Sequence, residues 1–199
     1  MKKLNRSIMV TFFFWFALVA GAQTKKYDIK SGIVTYDLTM KMGTMNVKTK
    51  VIVYFDDYGM KECKETYYNE KLSNSYFSDG KELYLLQHKE KLAIKRGTAY
   101  SGTEFRVEWT EFGSEKDRQS GTAKKLPNMT ILGKSCVTFG TDDGKGSVAT
   151  YAGWDKILLY LNVKSQGTET TQQAVKLEEN AKVPADKFMV PKDYTLQPG

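Results

Sequence analysis

The chain has 199 residues, which suits one domain or two small ones. Its 30 Lys and Arg stand against 23 Asp and Glu for a formal charge of +7, and 41% of the residues are apolar. That balance excludes a disordered tail protein, a collagen-like chain and a multi-span membrane protein. One histidine (His88) and two cysteines (Cys63, Cys136) leave too few ligands for a Cys/His zinc cluster. No metal and no cofactor is expected.

The N-terminus reads as an export signal. Lys2, Lys3 and Arg6 precede an apolar run from Ile8 to Ala20, broken only by Thr11, and Ala20-Gly21-Ala22 follows. A basic start, a short apolar stretch and an A-x-A site describe a secretory signal peptide over residues 1–22, cleaved after Ala22. The apolar run is shorter than the roughly 20 residues that span a bilayer core, which argues against an anchor. Gln23-Thr24-Lys25 offers no cysteine for a lipid, so the expected product is a soluble periplasmic or secreted chain, residues 23–199, with no stable membrane span. Removing the signal takes away three basic residues and no acid, which leaves a charge of +4. Lys and Glu are mixed along the remainder, so no basic patch for nucleic acid is expected.

The mature chain alternates with the period of strands. In Ile33 to Met42, Val34, Tyr36, Leu38, Met40 and Met42 point one way and Thr35, Asp37, Thr39 and Lys41 the other. Gly43-Thr44 turns, and Val47 to Phe55 resumes with Val47, Val51, Val53 and Phe55 on one face. Met60 to Tyr68 is a weaker strand. Ser73–Phe77 and Lys81–Gln87 flank Asp79-Gly80, a strong hairpin signal. Leu92 to Lys95 follows. In the middle, Phe105, Trp109 and Phe112 fall at i, i+4 and i+7, which predicts an amphipathic helix, either packed on the sheet or acting as a lid. Gly113 to Lys125 reads as an exposed loop. Strands return at Thr130–Leu132, Ser135–Gly140, Ser147–Ala152, Lys156–Val163 and Thr170–Glu178, the last with Val175 and Leu177 on one face. An extended tail follows, with Phe188 as its anchor. The expected fold is mainly β (α+β): one antiparallel meander of about ten or eleven strands with one main helix. A sheet that wide curls as twist accumulates, giving a half-barrel.

The opening strand Ser31-Gly32-Ile33-Val34-Thr35-Tyr36 resembles that of periplasmic proteins of the lipoprotein-carrier type (LolA/LolB-like). So do Ile131-Leu132-Gly133-Lys134-Ser135-Cys136, the later Trp154-Asp155-Lys156-Ile157-Leu158-Leu159, and the closing segment from Val183 to Pro191. Over about residues 28–195 the chain looks like an uncharacterised secreted family of the Gram-negative envelope related to those carriers. The resemblance implies a curved antiparallel sheet covered on one side by helix, around an apolar cavity for acyl chains or a lipidated partner. It also admits a sheet whose face is filled by its own side chains.

Candidate lining residues are Tyr36, Leu38, Met40, Met42, Val51, Val53 and Phe55 on two adjoining strands, with Phe77, Tyr84 and Leu86 as neighbours and Trp109 on the covering helix. Met40, Met42, Met45 and Met60 are flexible and polarizable, suited equally to irregular apolar guests and to gaps in a core. Cys63 and Cys136 are a disulfide candidate in an exported chain, closing a loop of roughly 74 residues worth about 4 kcal/mol in the chain-entropy model; two separate buried thiols are the alternative. His88 reads as an exposed turn residue, and nothing around it or around either cysteine announces a nucleophile with its base, so no catalytic residue is named. The function expected is a non-catalytic carrier of a lipid or lipid-modified protein. The alternative is an envelope interaction domain with a filled core and a protein partner.

Overall fold

The computed structural model describes residues 25–98 and 106–198. The expected signal peptide and Phe105 lie outside them. Among the described residues, twelve strands form one sheet: β1 (Gly32–Met42), β2 (Met45–Asp56), β3 (Lys61–Tyr68), β4 (Lys71–Ser78), β5 (Glu82–Gln87), β6 (Leu92–Thr98), β7 (Ala123–Ile131), β8 (Lys134–Asp142), β9 (Val148–Trp154), β10 (Ile157–Ser165), β11 (Thr168–Glu179) and β12 (Thr195–Gln197). The order across the sheet is β12-β6-β5-β4-β3-β2-β1-β11-β10-β9-β8-β7. Two meanders, β1 to β6 and β7 to β11, are thus joined where β1 pairs antiparallel with β11. Every pairing is antiparallel except the short parallel contact of β12 with β6. The two margins do not pair with each other, so the sheet is open rather than a closed barrel.

Tight left-handed turns make the meander. Asn69 and Glu70 (φ 48° and 63°), Asp155 and Lys156 (48° and 66°), and Gln166 and Gly167 (46° and 78°) each join consecutive strands. Two successive positive φ values match the right-handed twist of the flanking strands, which is why two residues suffice. β7 is longer than the sequence suggests. It takes in part of the expected loop and carries Pro127 at the outer margin, where a missing N–H costs no ladder bond. Its register with β8 shifts between Leu126 and Met129.

The helix expected around Trp109 is not there. Arg106 instead bridges to Ile157 as an extended residue, Val107 N–H donates to the Lys156 carbonyl, and Trp109–Glu111 is a single 3-10 turn. Strand-like bonding to β10 outcompetes the helical spacing. The described α-helix, α1 (Glu115–Ser120), lies in the segment expected to be loop; Ser114 and Asp117 cap it reciprocally and Gly121 ends it with φ 81°.

The sheet buries different strands on its two faces. Direct partners across a ladder share a face. On the first face, Val34 opposes Val53 and Tyr36 opposes Val51; with Phe55, Ile157, Leu159 and Ala174 they form the larger core. On the second face, Tyr54 opposes Cys63, Cys63 opposes Phe77, and Leu86 opposes Ala93. These make a smaller core capped by Phe188, Val183, Val190 and Tyr194 from the C-terminal segment. Residues 25–31 cap the first face. The Tyr27 ring meets Phe55 edge-on at 4.8 Å, and its hydroxyl donates to Glu62 Oε2 at 2.6 Å. Gly59, at φ +85°, gives Tyr27 its room: a Cβ there would lie 2.6 Å from the ring. Replacing Tyr27 by Ala should therefore destabilise the fold by about 3–5 kcal/mol, as for other large buried aromatics. Tyr27→Phe should cost about 1.5–3 kcal/mol, the range for a hydrogen bond to a charged group. Urea unfolding followed by circular dichroism measures both.

Candidate functional site

The first face is closed at one end and open at the other. At the closed end Tyr36 and Phe55 are 0% exposed, and Val34, Val51 and Val53 are buried beside them. The Tyr36 hydroxyl, a polar atom deep in this core, donates to the Leu158 carbonyl at 2.8 Å. Towards the hairpin tip the burial ends. Leu38 is half-buried, while Met40, Met42 and Met45 are 44%, 52% and 55% exposed.

Register lays out this open end as rows. Tyr151, Leu161, Gln172, Leu38 and Thr49 form one, from β9 across to β2. Ala149, Val163, Thr170, Met40 and Val47 form the next, and Ser165, Thr168, Met42 and Met45 the last. The result is an apolar shelf with neutral hydroxyls and one amide, flanked by aromatics. Phe112 meets Tyr151 at 4.9 Å, and Trp109 meets Phe139 at 5.1 Å, with Lys125 Nζ 5.3 Å from the Trp109 ring centre. Gly153 lets this covering segment approach: a Cβ there would sit 2.7 Å from Val107. Beside Trp109 lies a cleft of about 470 Å³, walled by Val107, Leu126, Val137, Phe139 and Lys125.

Of the expected lining residues, Tyr36, Val51, Val53 and Phe55 share the first face but are sealed by their own chain. Leu38, Met40 and Met42 remain reachable, and Trp109 lies away from them, against Phe139 of β8. Phe77, Tyr84 and Leu86 are not their neighbours: they lie on the second face, where Phe77 stacks on Tyr84 at 4.8 Å under the C-terminal segment. The alternation of β4 and β5 was plain in the sequence, but which face it shared with β2 depends on register. Leu161 and Val163 belong to the shelf and were not singled out. The alternation in β10 signals them once β10 is known to neighbour β11. Val175, expected beside Leu177, is 45% exposed because the β1–β11 register skips it.

Cys63 and Cys136 are free, buried, and in separate cores, so the disulfide does not form. Burial pushes the Cys63 thiol up to about 12 and raises Cys136 as well, which leaves both unreactive at neutral pH. Among the described residues, no group of three or more His, Cys, Asp and Glu could hold a metal ion.

His88 is not a bare turn residue. Its Nε2 lies 2.7 Å from Ser75 Oγ and its Nδ1 2.7 Å from the Tyr194 hydroxyl. Ser75 is buried, and the third group is a phenol rather than a carboxylate, so the array is a tie between sheet and C-terminal segment. A second tie runs alongside: Glu65 accepts from Lys187 Nζ and from the Tyr67 hydroxyl at 2.7 Å.

No protein-family model matches the sequence, and no curated protein matches it. Solved structures do. An uncharacterized conserved protein from Thermus thermophilus aligns over 88% of this chain and 93% of its own at a TM-score of 0.59 and 10% identity. That likeness establishes a shared fold. Fainter likenesses are to the MucA/MucB complex of Pseudomonas aeruginosa (TM-score 0.49, 8% identity, 83% of this chain and 57% of that one) and to a LolA superfamily protein from Nitrosomonas europaea (0.45, 10%, 82% and 94%).

Burial lowers the His88 pKa below its ordinary 6.5, with Lys187 acting in the same sense and Glu65 opposing. The fold thus prefers neutral imidazole. The stabilisation this brings is complete above pH 6.5 and is lost as pH falls from there through the lower folded value. Thermal melts at pH 7.5 and pH 5 should show His88→Gln costing more at the higher pH. An equal cost at both would contradict this account.

Proposed function

We propose that this chain is an exported, non-catalytic binding protein that seats an apolar group, an acyl chain of a lipid or of a lipidated protein, on the open end of the first face. In this reading residues 1–22 are the cleaved address, residues 23–199 form one domain, and the site of action is the periplasm. Half-barrel curvature of the sheet would wrap the shelf around its guest. One observation carries the proposal. The same face that is sealed at Tyr36 and Phe55 continues, in unbroken rows, into Leu38, Met40, Met42, Leu161 and Val163, with no segment of the described chain folded over the methionines. Contiguous exposed apolar surface of this kind marks a binding site more often than chance.

Seating there needs no chemistry. Each methylene removed from water contributes about 0.8 kcal/mol, so about ten buried methylenes reach micromolar affinity before ordering costs. Methionine suits the role because its unbranched thioether re-packs around guests of different shape. The described residues include no helix long and apolar enough to cross a membrane.

The second reading is an envelope interaction domain with a protein partner. The complete packing of Tyr36, Val53 and Phe55 against Tyr27 and Val107 favours it, because it leaves a shelf in place of an enclosed cavity. A fluorescent fatty acid separates the two. Saturable binding to the wild type, weakened at least about tenfold by Met40→Asp with Met42→Asp, supports the carrier. No probe binding, together with no lipid released from the freshly purified protein in native mass spectrometry, would leave the interaction domain.

A further inference from the structure

The tip of the β1–β2 hairpin gathers three thioethers. Met42 and Met45 are direct cross-strand partners on either side of Gly43-Thr44, and Met40 follows two residues back on the same face. Direct partners hold their Cβ atoms about 4.5–5.5 Å apart and diagonal ones about 7–8 Å apart. Side chains with three rotatable bonds can therefore bring their sulfurs to one point. None of the three fills a core gap, the ordinary work of methionine, since each is about half exposed.

The charges around them are sorted by the pleat. Lys41 and Lys48 sit on the opposite face, where Lys48 opposes Thr39 and Lys41 reaches Glu169. On the methionine side the residues in register are Val47, Thr168 and Thr170, all neutral. A cation arriving there meets neither a competing ammonium nor a carboxylate that would favour calcium or magnesium.

We propose that Met40, Met42 and Met45 form a binding site for a soft monovalent cation, Cu(I) or Ag(I). Thioether sulfur is a soft, uncharged donor. It selects soft d¹⁰ ions and leaves hard divalent ones in water. It also releases no proton on binding, so affinity should hardly change between pH 5 and pH 8, unlike that of a thiolate or imidazole site. The ion is bound in the oxidation state in which it arrives. This ligand is independent of the apolar guest proposed above, although the two share side chains.

Silver nitrate titrated into the purified protein in chloride-free buffer tests the proposal. Native mass spectrometry should count one ion per chain. With ¹³C-methyl methionine, the resonances of Met40, Met42 and Met45 should move while those of Met60, Met129 and Met189 stay. The variant carrying Met40→Leu, Met42→Leu and Met45→Leu keeps volume and apolarity at exposed positions, so it should melt like the wild type. Its silver affinity should fall by about tenfold or more. Absence of binding to the wild type, or equal binding to the leucine variant with Cys63 and Cys136 left as the ligands, overturns the proposal. Silver is counted on protein carrying no acyl probe, so failure for silver and failure for the acyl probe are separate results.

Discussion

The structure depends on the ladder between β1 and β11. Each meander is local, built by turns of a few residues, and either alone would present an unpaired edge strand and a half-covered apolar face. Pairing the first long strand with the last brings Tyr36 beside Ala174 and Leu38 beside Gln172. Only then do Leu159, Ile157 and Phe55 share one core. The contact closes a loop of more than a hundred residues, whose entropy must be overcome before any of this burial is gained. The register skip at Val175 belongs to the same ladder and turns an apolar residue outward.

Once that ladder is set, alternation distributes the side chains. β2 is the strand that serves both faces: Val51, Val53 and Phe55 enter the larger core and Tyr54 the smaller. Each core is then finished by chain from outside the meanders. Residues 25–31 and the Val107–Phe112 segment close the first face. The C-terminal segment, tied through His88 to Tyr194 and through Glu65 to Lys187, closes the second. The open shelf exists because the first set of covers stops short of the hairpin tip.

Strand positions were legible in the sequence wherever one face is dry and the other wet, as in Ile33–Met42 and Val47–Phe55. Three things were not. The Trp109 segment carries helical spacing but lies against β10, and that preference is tertiary. Phe77, Tyr84 and Leu86 alternate correctly, yet a one-residue choice of register decides their face, and composition does not encode it. Cys63 and Cys136 are spaced for a loop closure, but they sit on β3 and β8, six positions apart across the sheet. The open end is nearly in view in the sequence: the methionines stand out there, and what the sequence leaves out is which neighbours fail to cover them.

The margins of the sheet carry a last consequence. A wide open sheet offers two rows of unpaired amides and carbonyls to any other chain in extended form, which is how stacking into fibrils begins. Here one border bears Pro127 amid a register break, and the other is occupied by the three residues of β12. Neither border is a good template for a further copy, so strand addition is opposed at both edges while the apolar shelf stays open on the face.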